Sequence, residues 1–418
     1  MNPARTLLLV GGNEDNVRKA KAHGLDVILL QHPEKFTPEQ RELADVTVLV
    51  DYTDWTRLRP VAEDVHTDRG FAVALSLTEA GVEGAARIND LLGLGGTGLE
   101  VTRRLRDKWT MRRRLAELDP AALGARLLED RSDLDRFGAA YGYPFIVKPT
   151  DATASFGVHR VADAADADRV WAEAERMRGG TTDRGTTLFA IRAFLMEEYI
   201  DGPEFSVESF SFAGRHVVIA ITEKSVDEQH FAELGHALPA RLSERVQEQV
   251  ADAVAGFLDA VGLRDGVTHT ELRIGARGPA VIESHNRPGG DGIMDLVEAA
   301  YGIDLTSLAI GWSFGLVEPL PGRPAALRGA ATRFLTRTAA GRVDAVEGEA
   351  EVAAHPDVLS VRIAVRPGDA VRPLKDNWDR LGQVSVTGST TSAAVELCEQ
   401  LIATGIRIQV SEPAGALA

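Results

Sequence analysis

The chain has 418 residues, 44% of them hydrophobic and 26% charged, which is room for two or three domains around a substantial buried core. Its 62 acidic residues against 46 basic ones leave a net charge of −16, which argues against nucleic acid or an anionic membrane as a partner. The single cysteine, Cys398, excludes an intramolecular disulfide and fits a reducing compartment. No apolar stretch approaches the ~18 residues of a membrane span, and the N-terminus lacks the design of a secretion signal, so a soluble, cytoplasmic protein is expected.

The opening segment TLLLVGGNEDNVRKAKAHGLDVILLQ reads strand, glycine turn, helix, strand, a βαβ unit. Gly11 and Gly12 stand where many nucleotide folds bind phosphate, but the pattern is not GxGxxG and acidic residues follow, so a plain tight turn is expected and a dinucleotide site is not. Further strands are predicted over residues 46–50 and 71–75, with a helix through AGVEGAARINDLLGL. Residues 1–105 therefore form a parallel α/β domain.

A basic run follows (Arg103, Arg104, Arg106, Lys108, Arg112, Arg113 and Arg114), which reads as a solvated helix face with one or two members turned inward. Residues 106–190 are expected to form a smaller α/β lobe: a helix from about Asp107, a strand over residues 145–148, a loop over 150–157, a helix over 166–177 and a polar surface loop in RGGTTDRGTT. Residues 191–320 turn strand-rich, with a helix over 243–261. Residues 321–418 form a small C-terminal domain that completes the larger lobe and closes on the strand GQVSVTGST and a helix. Cys398 falls in that helical pattern and reads as a small buried hydrophobe.

The most informative segment is GVTHTELRIGARGPAVIESHNRPGGDGI. Glu271 and Glu283 each lie in a run with β character, and Gly275, Ala276, Arg277 and Gly278 read as the turn between. An antiparallel pair would bring the carboxylates together, and such oxygen ligands suit Mg²⁺ over nucleotide phosphates. Read in order, Lys108, Lys148, the loop 150–157, the acidic stretch MEEYI, Glu204, the paired glutamates and Arg287 resemble the ATP-grasp superfamily. SLTEAGVEGAARINDLLGLGG with DKWTMR resembles its carboxylate–amine ligase branch.

That resemblance implies an ATP-grasp fold: an N-terminal parallel α/β domain, a two-lobed ATP-binding region and a small C-terminal domain. It also implies roles. Lys108 and Lys148 hold the α- and β-phosphates, and the loop covers them with Ser155 and Gly157. Relatives carry more glycine in that loop. Glu197 takes the adenine amine, Tyr199 and Ile200 read the ring edge, and Glu204 accepts from the ribose hydroxyls, for which a carboxylate offers two acceptor oxygens. Glu271 and Glu283 bind Mg²⁺. His285 stands where relatives have Asn, with Asn286 as the alternative ligand, and an imidazole there would admit Mn²⁺. Arg287 bridges the γ-phosphate and the substrate carboxylate.

The segment EKSVDEQHFAELGHALPARL resembles the substrate loop of dipeptide-forming L-amino-acid ligases. By that likeness Glu233 binds an ammonium and His236 orients or deprotonates the attacking amine. Asp291 either caps the next helix or binds a substrate amine, and Arg333 is a candidate carboxylate binder. The implied reaction joins a carboxylate and an amine, amino acids foremost, through an acyl phosphate with release of ADP and phosphate. The alternatives are bicarbonate or carrier-directed activation of the biotin-carboxylase kind, and an ATP-binding protein without chemistry. The resemblance also admits a homodimer.

Overall fold

A computed structural model describes residues 1–179 and 191–411. The predicted surface loop RGGTTDRGTT lies outside the described residues from position 180 onward. The first strand, Thr6–Val10 (β1), is buried at every position, as befits the middle of a parallel sheet covered on both faces. It lies between Asp26–Gln31 (β2) and Val73–Leu75 (β4), with Val46–Leu49 (β3) outside β2, all parallel. β4 is only three residues long and sits at the sheet edge. Asn89, on the helix Glu79–Leu92, completes its pairing by accepting from the Ala74 N–H at 2.8 Å and donating to the Ala74 carbonyl at 2.9 Å.

The next sheet is antiparallel and small. Ala125–Leu128 (β5), Phe145–Pro149 (β6), His159–Val161 (β7) and Phe194–Glu198 (β8) run in the order β5-β8-β6-β7. The aromatic core of Phe137, Phe145 and Phe194 lies beneath it.

The large sheet has eight strands. Glu204–Phe212 (β9), Arg215–Val226 (β10), Glu233–Leu238 (β11), Gly266–Gly275 (β12), Gly278–His285 (β13) and Gly329–Leu335 (β14) are followed by strands from the end of the chain. After Gly341–Glu347 (β15) come Val358–Ile363 (β16), Ala370–Val371 (β17), Gly382–Gly388 (β18) and Arg407–Ser411 (β19). The order is β13-β12-β9-β10-β11-β14-β18-β16, and β17-β15-β19 form a separate three-stranded sheet. The segment predicted as a substrate loop is thus the end of β10, a turn over residues 227–232 and strand β11, which pairs with β10 and β14. The chain also continues past the expected closing helix, Thr391–Gly405, into β19. That strand escapes a sequence reading because its residues are exposed or half-buried throughout.

One face of the large sheet carries Phe205, Val207 and Leu272 and packs on Val250, Val254 and Leu258 of the helix Glu244–Val261. A second apolar cluster runs from β1 and β2 through the helix Leu305–Trp312 to Phe210 and Ile219. It locks the N-terminal sheet against the large one. Among the described residues no helix is long and apolar enough to cross a membrane.

Replacing Asn89 by Ala strands both backbone groups of Ala74 inside the protein. The expected cost is about 2–3 kcal/mol, read as a lower urea midpoint of the transition that reports the N-terminal domain; an unchanged midpoint would contradict this account of the β4 edge.

Candidate active site

Antiparallel register builds the site. Glu271 of β12 faces Glu283 of β13 directly, and one rung away His269 faces His285. The same rungs continue into β9, where Ser206 faces Glu271 and Glu208 faces His269. Residues two apart share a face, so Glu204, Glu208, His269, Glu271, Glu283 and His285 stand on one side and the apolar residues on the other. After Glu283 the register jumps, pairing Val281 with Leu272 and leaving Ile282 as a bulge. Buried Arg112 donates to the Val281 carbonyl at 2.9 Å and the Ile282 carbonyl at 3.0 Å, answering the backbone groups there.

Each carboxylate is buried with a cation. Lys108 Nζ lies 2.9 Å from Glu283 and donates to the Ala152 carbonyl at 2.8 Å. Burial disfavours its charge, but Glu283 outweighs that and raises its pKa. Lys148 Nζ lies 2.5 Å from Glu197, whose other oxygen takes Arg112 at 3.0 Å. Here burial prevails, and the Lys148 pKa is lowered. Burial likewise opposes charge on Glu271 and Glu283, yet Lys224 beside the first and Lys108 beside the second hold both below the ordinary carboxylate range.

Lys224 is the residue the sequence reading missed. From β10 its ammonium reaches Glu233 at 2.7 Å, Glu204 at 2.9 Å and Glu271 at 3.0 Å. The only signal was a lysine near the end of a strand whose middle, residues 217–222, is apolar but for one threonine. Glu79 was also missed. It opens the helix Glu79–Leu92 and binds Arg287 Nε at 2.7 Å and His285 Nδ1 at 2.9 Å. His269 bridges Glu208 at 2.8 Å and Glu271 at 3.3 Å. Although burial opposes its charge, Glu208 leads in raising its pKa to about 10. A Cβ on Gly289 would lie 2.8 Å from His269 Nδ1, so only glycine lets the turn approach that ring.

The phosphate-type loop, residues 150–157, lies folded onto the site. Ser155 donates to the Phe231 carbonyl at 2.8 Å. Ala154 and Ser155 have φ of 62° and 58° and Gly157 has φ of 71°, so two residues with side chains occupy the region that glycine tolerates best. The pocket between Lys108, Lys148, Tyr199, Ile200 and Glu204 has a volume of about 100 Å³, against roughly 300–1,000 Å³ for ligand sites of this class. Tyr199 accepts from Arg273 Nη1 at 2.9 Å, and the Ile200 carbonyl accepts from the same nitrogen at 3.2 Å. Next to it opens a cleft of about 750 Å³ holding Glu233, Glu271, Arg287, Asp291 and Arg380.

Glu233 and His236 are three apart, which in a regular strand would point them to opposite faces. A bulge at Leu234, between the pairs Ser225–Gly235 and Val226–Glu233, puts both on the same side of the sheet. His236 Nε2 lies 3.6 Å from Glu233 and 3.7 Å from Asp291.

Three family models match the chain in order. The ATP-grasp N-terminal domain matches residues 17–96, the ATP-grasp domain residues 141–295 and the L-amino acid ligase C-terminal domain 2 residues 333–411. The chain belongs to the ATP-grasp superfamily. The crystal structure of the L-amino acid ligase from Bacillus licheniformis superposes with a TM-score of 0.83, covering 99% of this ATP-grasp chain and 100% of that one at 21% identity. Uncharacterized protein y4rH of Sinorhizobium fredii is 27% identical over 92% of the chain and 78% of its own length. Human carnosine synthase 1 is 29% identical over 48% of the chain, which spans only 24% of that relative.

Several expectations need correction in this ATP-grasp protein. Glu197 does not offer a free carboxylate to an adenine amine, because Lys148 and Arg112 take both oxygens. Asn286 donates to Thr102 Oγ1 at 3.2 Å, away from the carboxylates, which leaves His285, 3.2 Å from Glu283, as the member of that pair facing them. Arg333 pairs with Glu399 at 3.0 Å because strand parity turns it to the face opposite His236, whose β14 partner is Thr332. Asp291 precedes the helix Ile293–Tyr301 but takes Arg380 instead of capping it. The basic run is mostly spent on ion pairs, with Arg103 and Arg106 on Glu83, Arg104 on Glu100 and Arg112 buried on Glu197.

The paired glutamates are hard oxygen donors facing each other in a buried site, the donor set that a divalent cation takes. Replacing Lys224 by Met leaves three buried carboxylates without their shared cation. The expected loss is about 3–5 kcal/mol, partly restored by millimolar Mg²⁺ in a thermal melt; a melt insensitive to both changes would refute the assignment. Ala154→Gly should raise stability by roughly 0.5–1 kcal/mol by relieving the left-handed backbone.

Proposed function

We propose that the protein is an ATP-dependent, ADP-forming ligase that joins the carboxylate of one small molecule to the amine of another, with amino acids as substrates. The observation that carries this reading is the facing pair Glu271 and Glu283, each held by a lysine, beside a cleft lined by Glu233, Glu271 and Arg287. The similarity to an L-amino acid ligase and to carnosine synthase 1 supports amino-acid substrates.

ATP enters between the lobes once residues 152–156 lift and Lys108 leaves the Ala152 carbonyl. Polyphosphate then draws Lys108 and Lys148, and Glu271 and Glu283, with His285 beside them, hold Mg²⁺, or Mn²⁺ where the imidazole contributes. The bound cation supplies charge neutralisation over the phosphates. Lys224 and Arg273 steady Glu204 against the ribose, and Tyr199 and Ile200 line the adenine pocket with Ser155 across from them and Gly157 two residues further along the loop. An oxygen of the donor carboxylate attacks the γ-phosphorus, the bond to the β-phosphate oxygen breaks and ADP leaves. Arg287, fixed by Glu79, stabilises the charge on the acyl phosphate. The acceptor amine, relieved of a proton by His236, attacks the acyl carbon, and phosphate departs. A reducing cytoplasm suits this reading, since Cys398 is buried and its thiol is pushed up to about 12 by burial.

The test is phosphate release with ATP and Mg²⁺ against pooled amino acids, followed by mass spectrometry. ADP, phosphate and a condensed product are expected, with Glu271→Gln and Glu283→Gln each slowing turnover by about 10²–10³-fold. AMP with pyrophosphate would overturn the acyl-phosphate route.

A further inference from the structure

The loop 150–157 borders two hollows. Ser155 and Phe156, with Val158 just beyond, line the adenine pocket and also a separate cleft of about 760 Å³. The other walls of that cleft use no residue of the site described above, and they are cationic. Arg160 comes from β7, Arg169 and Arg176 from the helix Ala167–Met177, and Arg372 and Lys375 from the segment between β17 and β18. Five cations in one concavity, against the three carboxylates of Glu173, Glu228 and Asp376, reverse locally the sign of a chain whose net charge is −16.

Two of those carboxylates are already engaged. Glu173 lies 3.0 Å from His159 Nδ1 and 3.7 Å from Arg169, and the buried Asp376 accepts from the Trp378 N–H at 2.9 Å. Among the described residues Arg160, Arg176 and Lys375 form no ion pair, and the Arg160 guanidinium lies 5.3 Å from the Tyr199 ring centre. Burial lowers the His159 pKa, and Arg169 and Arg176 lower it further against the pull of Glu173, as a positive field at the wall requires. His159 Nε2 is buried without a hydrogen-bond partner. Unpaired like charges brought to one concavity from two lobes repel each other until an anion bridges them.

The same walls hold the loop. A Cβ on Gly157 would lie 3.0 Å from Pro149 Cγ and 3.2 Å from Met177 Cε, so the loop backs directly on the helix that carries Arg176. On the other side Ser155 donates to the Phe231 carbonyl at 2.8 Å, and the Asn377 N–H, shortly after Lys375, donates to the Ala154 carbonyl at 3.5 Å.

We propose that this cleft binds a small anion bearing phosphoryl groups, and that its occupancy pins the loop 150–157 in the folded-down position. The class follows from the donors. Cations reaching in from separate elements need acceptor oxygens pointing in several directions, which a tetrahedral phosphoryl group has and a planar carboxylate, matched to a single fork, has not. A cleft of about 760 Å³ is of the size that takes small molecules. An anion bridging the two walls draws together the attachments of the loop and opposes the lifting that admits ATP. Only that last consequence rests on the ligase reading above.

The probe is inorganic pyrophosphate, titrated calorimetrically into the full chain at fixed ionic strength, without nucleotide or Mg²⁺. Saturable binding is expected, weakened about tenfold or more in the double variant Arg176→Gln, Lys375→Gln, whose two positions are exposed and outside every core. Amide exchange over residues 152–158 should slow in the unaltered protein when pyrophosphate is bound, and should not slow in the variant. No binding, or binding that the variant leaves unchanged, would overturn the proposal, the latter by placing pyrophosphate among the nucleotide lysines. Citrate bound as tightly as pyrophosphate would overturn the phosphoryl class, and bound pyrophosphate with unaltered exchange would overturn the pinning. A chain that passes these tests but forms no product from ATP and amino acids would sink the ligase reading alone.

Discussion

Everything at the site depends on the pairing register of β9, β12 and β13. A strand alternates its side chains between faces, so the register that seats Phe205, Val207 and Leu272 against the helix Glu244–Val261 necessarily aims Glu204, Glu208, His269, Glu271, Glu283 and His285 at the cleft. A slip of one residue would bury the carboxylates against the helix and expose the apolar set. The hydrophobic effect thus specifies the position of the polar groups, although it contributes nothing to their chemistry. Two bulges, at Ile282 and Leu234, adjust this rule where it would misdirect a side chain. The second puts Glu233 and His236 on the same side of the sheet.

Packing so many carboxylates on one face is tolerable only because each has a buried cation. Ion pairs in such surroundings contribute little net stability compared with an apolar core, but removing one member is costly. The partners come from separate parts of the chain: Lys108 and Arg112 from the helix Lys108–Leu118, Lys148 from β6, Lys224 from β10 and Arg287 beside Glu79 of the N-terminal domain. This charge pairing ties the lobes together at the one place where they must also part to admit a nucleotide. The pocket of about 100 Å³ is the packed form of that arrangement, with the loop's own Ala152 carbonyl on Lys108.

Much of this was legible from the amino-acid sequence. The N-terminal βαβ unit, the hairpin carrying Glu271 and Glu283, and the lysines at the start of a helix and the end of a strand are local patterns, visible wherever periodicity and turn residues are strong. Lys224, Glu79 and Arg112 were not legible as site residues because their roles come from partners on other elements, from the neighbouring strand β11 for Lys224 to Arg287 for Glu79, and strand register between segments is not written in either segment alone. Arg333 was misread for the same reason. A cation in a β-like run near the site looks functional until its parity is known, and parity sends it to Glu399. In the basic run, Lys108 and Arg112 are the members turned inward, buried among charges, but which members turn in was not legible. β15, β17 and β19 form a small sheet whose outer strand alternates weakly, and a weak period gives little to read.

Lys224 shows why nucleotide and substrate chemistry are joined in this architecture. Its one ammonium bonds Glu204 at the ribose end of the pocket, Glu271 of the metal-type pair and Glu233 of the neighbouring cleft. Burial opposes its charge, but the three carboxylates outweigh that and raise its pKa well above an ordinary lysine, so it stays charged across any working range. A fixed charge shared among three acceptors is a conserved quantity. A cation arriving at Glu271 lessens that carboxylate's hold on the ammonium and leaves more of it to Glu233. An ammonium arriving at Glu233 does the reverse, and linkage makes the two effects equal in size. The C-terminal strands complete the circuit, because β14 and β18 extend the same sheet and carry Phe334 and the approach of Arg380 to the rim of the cleft. The turn before β18 also meets the loop 150–157 directly, the Asn377 N–H donating to the Ala154 carbonyl at 3.5 Å.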